Sequence, residues 1–157
     1  MVNILIKRPF RTRINSVFLE KTADDCVRYL SPKNNNWYLS IVIGSDDLLT
    51  SLNKRYRGIN KPTDVLSFDS QEIDPETGFL NIGDIVISFQ TAERQSLEAK
   101  HPVINEIQLL LIHGVLHLFG YDHDTEKGKE IMWEKQKSIL AHLGISINKI
   151  TGEDDFD

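Results

Sequence analysis

Residues 103–123 have the sequence VINEIQLLLIHGVLHLFGYDH, and the fold is decided by this stretch. Its first part, Val103 to Phe119, is apolar with few interruptions, so the helix that it predicts lacks a polar face. A helix that is apolar all round is covered on every side by the rest of its protein. Gly120 is suited to the left-handed conformation that ends many helices. The stretch therefore predicts a central core helix with the other elements packed around it.

Outward from this helix, the sequence predicts four strands and four further helices. β-Branched or alternating runs predict the strands, and apolar residues at helical spacing predict the helices. The strands are predicted at Val2–Ile6, Trp37–Ile43, Val65–Phe68 and Asn81–Phe89, and the other helices at about 14–30, 45–58, 91–100 and 125–143. The order β-α-β-α-β-β-α-α-α favours an α+β fold, in which a roughly four-stranded mixed sheet packs with about five helices.

The composition is typical of a soluble protein of one domain. The chain has 157 residues, of which 40% are hydrophobic and 26% charged, so it can bury a core without disulfides. We expect a single domain over residues 1–157, with a disordered acidic tail at about 151–157. The chain has neither a signal peptide nor a membrane span in its sequence, which predicts a cytoplasmic protein without membrane contact.

The single cysteine, Cys26, limits the kinds of site that the chain can build. One cysteine forms no internal disulfide and no cysteine-based zinc cluster, and it fits a reducing compartment. A metal site must therefore consist of His, Asp and Glu side chains. Cys26 itself is predicted to be buried core, because no histidine neighbours it in the sequence.

The formal net charge of −5 argues against a general nucleic-acid coat, although a local basic patch is still compatible with it. One such patch lies at the end of the helix predicted at 45–58, where Lys54, Arg55 and Arg57 are followed by Lys61. From local sequence alone, Arg57 is better interpreted as a solvated charge that is favourable at a helix C-terminus. The alternative is a guanidinium that clamps a phosphate.

The spacing H-x-x-x-H-x-x-G-x-x-H over residues 113–123 predicts a metal site. His113 and His117 are four residues apart, so on a helix their side chains lie one turn apart on the same face and can share an ion. A turn at Gly120 lets His123 approach that face. Three imidazoles leave one tetrahedral position open, as in catalytic zinc sites, and water there can ionise near neutral pH. Zinc is the expected metal, and imidazole also suits nickel.

The residue after the first histidine distinguishes between hydrolase classes. Zinc proteases have a glutamate there, which takes the proton from the attacking water, but this chain has Gly114. A phosphodiester substrate relaxes this need, above all RNA, whose own 2′-hydroxyl can attack. That chemistry requires a cation on the phosphate oxygens as negative charge builds up.

Three blocks of sequence, in the same order, resemble the YbeY-type endoribonucleases, which are bacterial ribosomal RNA maturation factors. The blocks are LNKRYRG at 52–58 running into PTDVLSF at 62–68, GDIVIS at 83–88, and the histidine motif at 113–123. The resemblance covers about residues 37–145. It implies a zinc-binding α+β fold and a single-strand-specific endoribonuclease that acts in 3′-end maturation of small-subunit (16S) ribosomal RNA and in ribosome quality control. It also implies contact with small-subunit ribosomal proteins or an assembly GTPase.

By motif match, the resemblance implies that His113, His117 and His123 are the zinc ligands. Arg57 falls on the functional arginine of the family, which reverses the interpretation from local sequence. Catalysis is therefore predicted to depend on Arg57 and His113. The alternatives are a metzincin-like zinc peptidase with the same ligands, disfavoured by Gly114, and a non-catalytic ribosome assembly factor in which zinc is structural.

Other polar residues near these blocks are further candidates. Five are predicted to contact substrate: Lys54, Arg55, Lys61, Thr63 and Ser67. Asp122 is predicted to orient a ligand histidine or to accept a proton. Asp84 is predicted to line the site, with a strand-end turn as the alternative. Three residues receive structural interpretations: Asp64 is predicted to fix the turn after Pro62-Thr63, and His101 and His142 are predicted to be surface residues.

Overall fold

The structure, a computed structural model, describes residues 1–150, so the acidic tail predicted at 151–157 lies outside the described residues. The strands are β1 (Val2–Ile6), β2 (Trp37–Gly44), β3 (Val65–Asp69) and β4 (Leu80–Ser88). The α-helices are α1 (Ser16–Leu30), α2 (Asp46–Arg57), α3 (Phe89–Ala99), α4 (Val103–Leu118) and α5 (Glu126–Leu143), and a short 3-10 helix covers Phe10–Thr12. The predicted α+β class and the predicted order of elements are confirmed.

The four strands form one mixed sheet in the order β1-β2-β4-β3. β1 runs parallel to β2, and β2 parallel to β4, so these pairs are joined by crossovers that contain helices. β3 is antiparallel to β4, with Ser67 paired to Ile85. Among residues 1–150, β4 is the only strand beside β3, so β3 is an edge of the sheet.

The two faces of the sheet meet different helices. Ile85 and Ile87 of β4 belong to the main core with the buried residues of α4, whereas Val86 belongs to a small cluster with Leu66 and with Leu49 of α2. Successive side chains of a strand point to opposite faces. A residue's position along β3 or β4 therefore determines whether its side chain lies on the α4 side or on the α2 side.

The helix predicted to be central is α4. Twelve of its sixteen residues are buried, and Gln108 in its first half donates a hydrogen bond to Thr22 Oγ1 at 2.9 Å. Within residues 1–150, no helix is both long and apolar enough to cross a membrane. Cys26 is buried in the core as predicted, and burial raises the pKa of its thiol to about 12. A thiol with this pKa is not a nucleophile near neutral pH.

The prediction that His101 lies on the surface is wrong, because only 3% of its side chain is exposed. Lys100 ends α3 with a positive φ of 59°, and the chain turns His101 beneath the segment that follows α5. The backbone N–H of Asn148 donates to His101 Nδ1 at 3.2 Å. Nε2 therefore carries the proton and donates to the buried Glu106 Oε1 at 2.8 Å. His142, in contrast, is exposed as predicted.

Glu106 is expected to make the stability of the protein depend on pH. Burial raises the pKa of its carboxyl from 4.5 to about 7. Between these values the folded protein holds a proton that the unfolded chain has lost. The stabilisation is therefore complete below pH 4.5, decreases as the pH rises, and is lost above about pH 7.

We expect the Glu106→Gln variant to lose less unfolding free energy between pH 5 and pH 8 than the wild type, by about 2 kcal/mol, since each pKa unit corresponds to about 1.4 kcal/mol. Urea unfolding at both pH values measures the difference. Glu98→Gln, on the exposed surface of α3, is the matched control and should follow the wild type. Identical pH dependence in Glu106→Gln and the wild type would contradict the prediction.

Candidate metal centre and its cleft

Three imidazoles converge where α4 passes into the turn that follows it. His113 and His117 lie one turn apart on α4, and Gly120, with a φ of 92°, reverses the chain so that His123 approaches them. One ring nitrogen from each histidine lies within 4.8 Å of the other two. The Nε2 atoms of His113 and His117 are 3.1 Å apart. The cluster could hold one metal ion.

The chemistry of these nitrogens fits a metal ion. Nitrogens bound to one tetrahedral zinc at about 2.0–2.1 Å lie about 3.3 Å from each other, which is close to the observed His113–His117 separation. Among residues 1–150, Nε2 of His123 is buried and has no hydrogen-bond partner. A buried polar atom without a partner is costly, and a bound ion would remove that cost.

The protonation of the cluster also suits a metal. Burial, followed by the neighbouring His117, lowers the pKa of His113 to about 3, although the hydrogen bond to Gln136 Oε1 acts in the opposite direction. Burial, followed by the neighbouring His123, lowers the pKa of His117. Neutral imidazole is the form that binds metal, so His113 and His117 need not lose a proton near neutral pH.

Gln136 is a functional candidate that the sequence analysis missed. Its buried side chain lies on α5, and its Oε1 is 3.1 Å from His113 Nδ1. If Nδ1–H donates to this oxygen, the lone pair of Nε2 faces His117. The available sequence signal was a glutamine on the apolar side of α5, between Met132 and Ile139.

Gly114 faces the sheet and not the histidine cluster. A Cβ atom at this position would lie 3.0 Å from Ile85 Cγ2 and 3.1 Å from Ser67 Oγ. The Ser67 hydroxyl donates to the Gly114 carbonyl oxygen at 3.1 Å, which joins β3 to α4. The position that holds the general base in zinc proteases is therefore filled by packing against the sheet, without room for a glutamate side chain.

A cleft of about 490 Å³ brings Arg57 and His117 together along β3. Its walls are the end of α2, the strand β3 and the end of α4, including Leu118. Tyr56 also lines the cleft and is 57% exposed. Its ring packs against the edge of Phe68, with centroids 5.1 Å apart, and the Arg55 guanidinium lies 5.3 Å from its centroid. The cleft is thus lined both by a histidine of the candidate metal cluster and by cationic and aromatic side chains of α2.

The structure places the other predicted substrate contacts in three separate locations. Ser67 lines the cleft, whereas Lys61 and Thr63 line a separate cavity of about 300 Å³ beneath their loop. Lys54 and Arg55 are exposed on the last turn of α2.

Asp64 fixes the backbone of this loop, as predicted. Its carboxylate accepts hydrogen bonds from Val65 N at 2.8 Å and from Gln95 Nε2 at 3.2 Å. Burial raises the pKa of Asp64 to about 7, although these hydrogen bonds lower it. The side chain is almost fully buried, so it supports the loop from beneath.

The structure does not bring Asp84 to the histidines. Asp84 pairs with Phe68, and both lie on the face of the sheet that carries Val86, which is opposite to α4. Asp122 does lie near the cluster, where its charge raises the pKa of His117 against the effect of burial. Its Oδ1 accepts a hydrogen bond from Asp124 N at 3.3 Å.

The fold and the site together define an α+β protein with an open three-histidine cluster beside a cationic cleft. A family model described as Endoribonuclease YbeY matches residues 7–144. A protein named Endoribonuclease YbeY from Dehalococcoides mccartyi is 36% identical, with 90% of this chain and 89% of the relative covered. A protein of the same name from Pelotomaculum thermopropionicum is 45% identical over 69% of this chain and 73% of its own.

A solved structure has the same fold. It is the solution structure of a protein from Thermotoga maritima, which matches with a TM-score of 0.61 and 28% identity over 92% of each chain. Together with the family model, these relatives cover most of the residues that the structure describes. The chain belongs to the YbeY family.

If Gln136 fixes the tautomer of His113, removing its amide should weaken metal binding. We expect Gln136→Leu to lower zinc affinity by about 10- to 100-fold, the usual effect of losing a partner behind a metal ligand. Competition between the metal-stripped protein and a chelating dye measures this affinity. Gln108→Leu removes another buried amide of the core and should leave the affinity unchanged. Equal zinc affinities in the two variants would contradict a role for Gln136.

Proposed function

We propose that this protein is a zinc-dependent endoribonuclease that cuts single-stranded RNA, with Arg57 acting on the phosphate. The observation that carries the proposal is the cleft that Arg57 shares with His117 of the three-histidine cluster. The names of the relatives support the same activity. Zinc is proposed on the basis of the imidazole ligand set, and nickel is the alternative metal.

His113, His117 and His123 would hold the ion, and Gln136 would keep the His113 ring in the tautomer that presents Nε2. When bound, zinc would polarise the scissile phosphate or activate water. Arg57 stabilises the negative charge that develops on the phosphate oxygens, since a guanidinium can hold two of them at once. Binding of the phosphate in the cleft would place the RNA along β3, beside Ser67.

The architecture of the cleft favours RNA over a peptide. Gly114 packs against Ile85, so the proton acceptor of zinc proteases has no counterpart on the chain there. RNA supplies its own 2′-hydroxyl as a nucleophile. The exposed ring of Tyr56, with Arg55 stacked on it, resembles the combination of aromatic and cationic groups that binds single strands. Lys54 would add electrostatic attraction for the RNA phosphates. Lys61 and Thr63 would contact the part of the RNA that continues past the cleft.

The biological substrate that we propose is small-subunit (16S) ribosomal RNA, cut in 3′-end maturation and in ribosome quality control in the cytoplasm. This part of the proposal rests on the family resemblance. Small-subunit ribosomal proteins or an assembly GTPase are the proposed partners. The net charge of −5 fits such a partner, because a protein with this charge gains little long-range electrostatic attraction to free RNA.

The metal can be tested directly. The purified wild-type protein is expected to contain about one zinc per chain, and His117→Ala is expected to lose it while keeping the far-ultraviolet circular dichroism of the fold. Elemental analysis gives the content. His142→Ala removes an exposed histidine outside the cluster and is the matched control. Wild-type protein purified without chelators but free of transition metal would contradict zinc dependence.

Arg57 is expected to act on the chemical step. Arg57→Ala should cleave single-stranded RNA about 100- to 1,000-fold more slowly, the usual cost of losing a group that stabilises developing charge, with zinc content unchanged. Arg28→Ala, an exposed arginine on α1, is the matched control.

The same assay separates the alternatives. A metzincin-like peptidase would digest casein and leave RNA intact, and a non-catalytic assembly factor would contain zinc and cleave neither substrate. Full RNA cleavage by zinc-loaded Arg57→Ala would remove Arg57 from the mechanism.

A further inference from the structure

A second pocket, of about 460 Å³, opens beside the cleft on the other side of Leu118. Its floor is apolar and includes the buried side chains of Trp37 and Ile82, with Phe119 half-buried beside them. Its rim carries three exposed polar residues, Asn34, Asp69 and Gln71. This combination of an apolar floor with a few polar groups is typical of pockets that bind small molecules.

The second pocket adjoins the cleft. Asp69 and Leu118 line both, and while His117 lines the cleft, Gly120 three residues later lines the second pocket. Asp69 is two residues after Ser67 on β3, so strand alternation places its side chain on the same side of the sheet as α4. An RNA strand with a phosphate between His117 and Arg57 therefore has a neighbouring nucleotide within reach of the second pocket.

The charges around the second pocket differ from those of the cleft. Among residues 1–150, no lysine, arginine or histidine lines the second pocket, and Asp69 is the only charged residue that does. A phosphate would find no cationic partner there, whereas a neutral heterocycle could pack against the apolar floor beside Phe119. Nucleobases of single-stranded RNA are neutral, planar and able to leave the stack.

We propose that the second pocket binds one nucleobase of the RNA strand and selects guanine through Asp69, an inference that rests on the proposed function. A carboxylate accepts two parallel hydrogen bonds, and guanine alone presents two donors, N1–H and an N2–H, side by side on one edge. Uracil presents a single N–H between two carbonyl oxygens, which a carboxylate repels. The side-chain oxygen of Asn34 accepts a hydrogen bond from Asn36 N at 3.1 Å, so its NH₂ group is the end that can donate to guanine O6.

Base preference at the cut site tests the proposal. A pool of single-stranded RNA with randomised sequence is digested by the zinc-loaded protein, and the ends of the products are sequenced. The wild type is expected to favour guanine over uracil by about 10-fold or more at one position next to the cut, the usual discrimination of a bidentate contact. Asp69→Asn should lose this preference, so that guanine and uracil occur about equally at that position among its products. Glu72→Gln, which removes a charge three residues further on, in the loop after β3 and outside the pocket, should keep the preference.

Binding gives a second readout that needs no cleavage. Short 2′-O-methyl oligouridines with and without one guanosine are titrated into the zinc-loaded protein, and fluorescence anisotropy gives their affinities. The guanosine is expected to tighten binding to the wild type and to Glu72→Gln, but not to Asp69→Asn. Equal guanine preference in the wild type and Asp69→Asn, or no base preference in either readout, would overturn the proposal. Guanine-dependent binding without cleavage of any RNA would support the base pocket and overturn the proposed endoribonuclease activity.

Discussion

The close approach of α4 to the sheet at Gly114 fixes most of what the site can do. With no side chain at this position, the helix backbone lies against Ile85, and its carbonyl oxygen accepts the Ser67 hydroxyl of the edge strand β3. This contact sets the height of α4 over the sheet and places His117 at the edge of β3. The same contact occupies the space at the position where zinc proteases have their general base. The packing of the core therefore also limits which reaction the site can catalyse.

Two buried histidines show how the surroundings decide the role of an imidazole. In His101, Nδ1 accepts from Asn148 N and Nε2 contacts Glu106, so its bonding capacity is used inside the protein and ties the segment after α5 to α4. In His113, Gln136 contacts Nδ1 while Nε2 faces another imidazole nitrogen at 3.1 Å. Two imidazole nitrogens at that distance either share a proton or repel each other, unless a cation lies between them. The first arrangement is structural, and the second suits a cation.

The cleft and the second pocket lie side by side near α4 and differ in the cationic residues that line them. Arg57 and the neighbouring basic residues of α2 make one end attractive to phosphate, while the second pocket beyond Leu118 has an apolar floor and one carboxylate. Nucleic acid has the same division, with charge on its backbone and none on its bases. A short net-acidic protein can therefore offer a local phosphate site without the general basic surface that would bind any polyanion.

The sequence by itself determined the elements, the central helix and the three histidines, because these depend on periodicity and spacing within short stretches of chain. The spacing of His113, His117 and Gly120 predicts their convergence with His123 from local geometry alone. Contacts between distant segments needed the tertiary structure: Gln136 behind His113 is 23 residues away, and Arg57 and His117 line one cleft because α2 and α4 both end beside the edge strand β3. The sequence analysis predicted Asp84 at the site and His101 on the surface. Strand alternation instead points the Asp84 side chain to the opposite face of the sheet, and a chain reversal at Lys100 buries His101. Local propensity sets what a segment becomes, whereas burial and side-chain neighbours are set by packing between segments, which no short window of sequence contains.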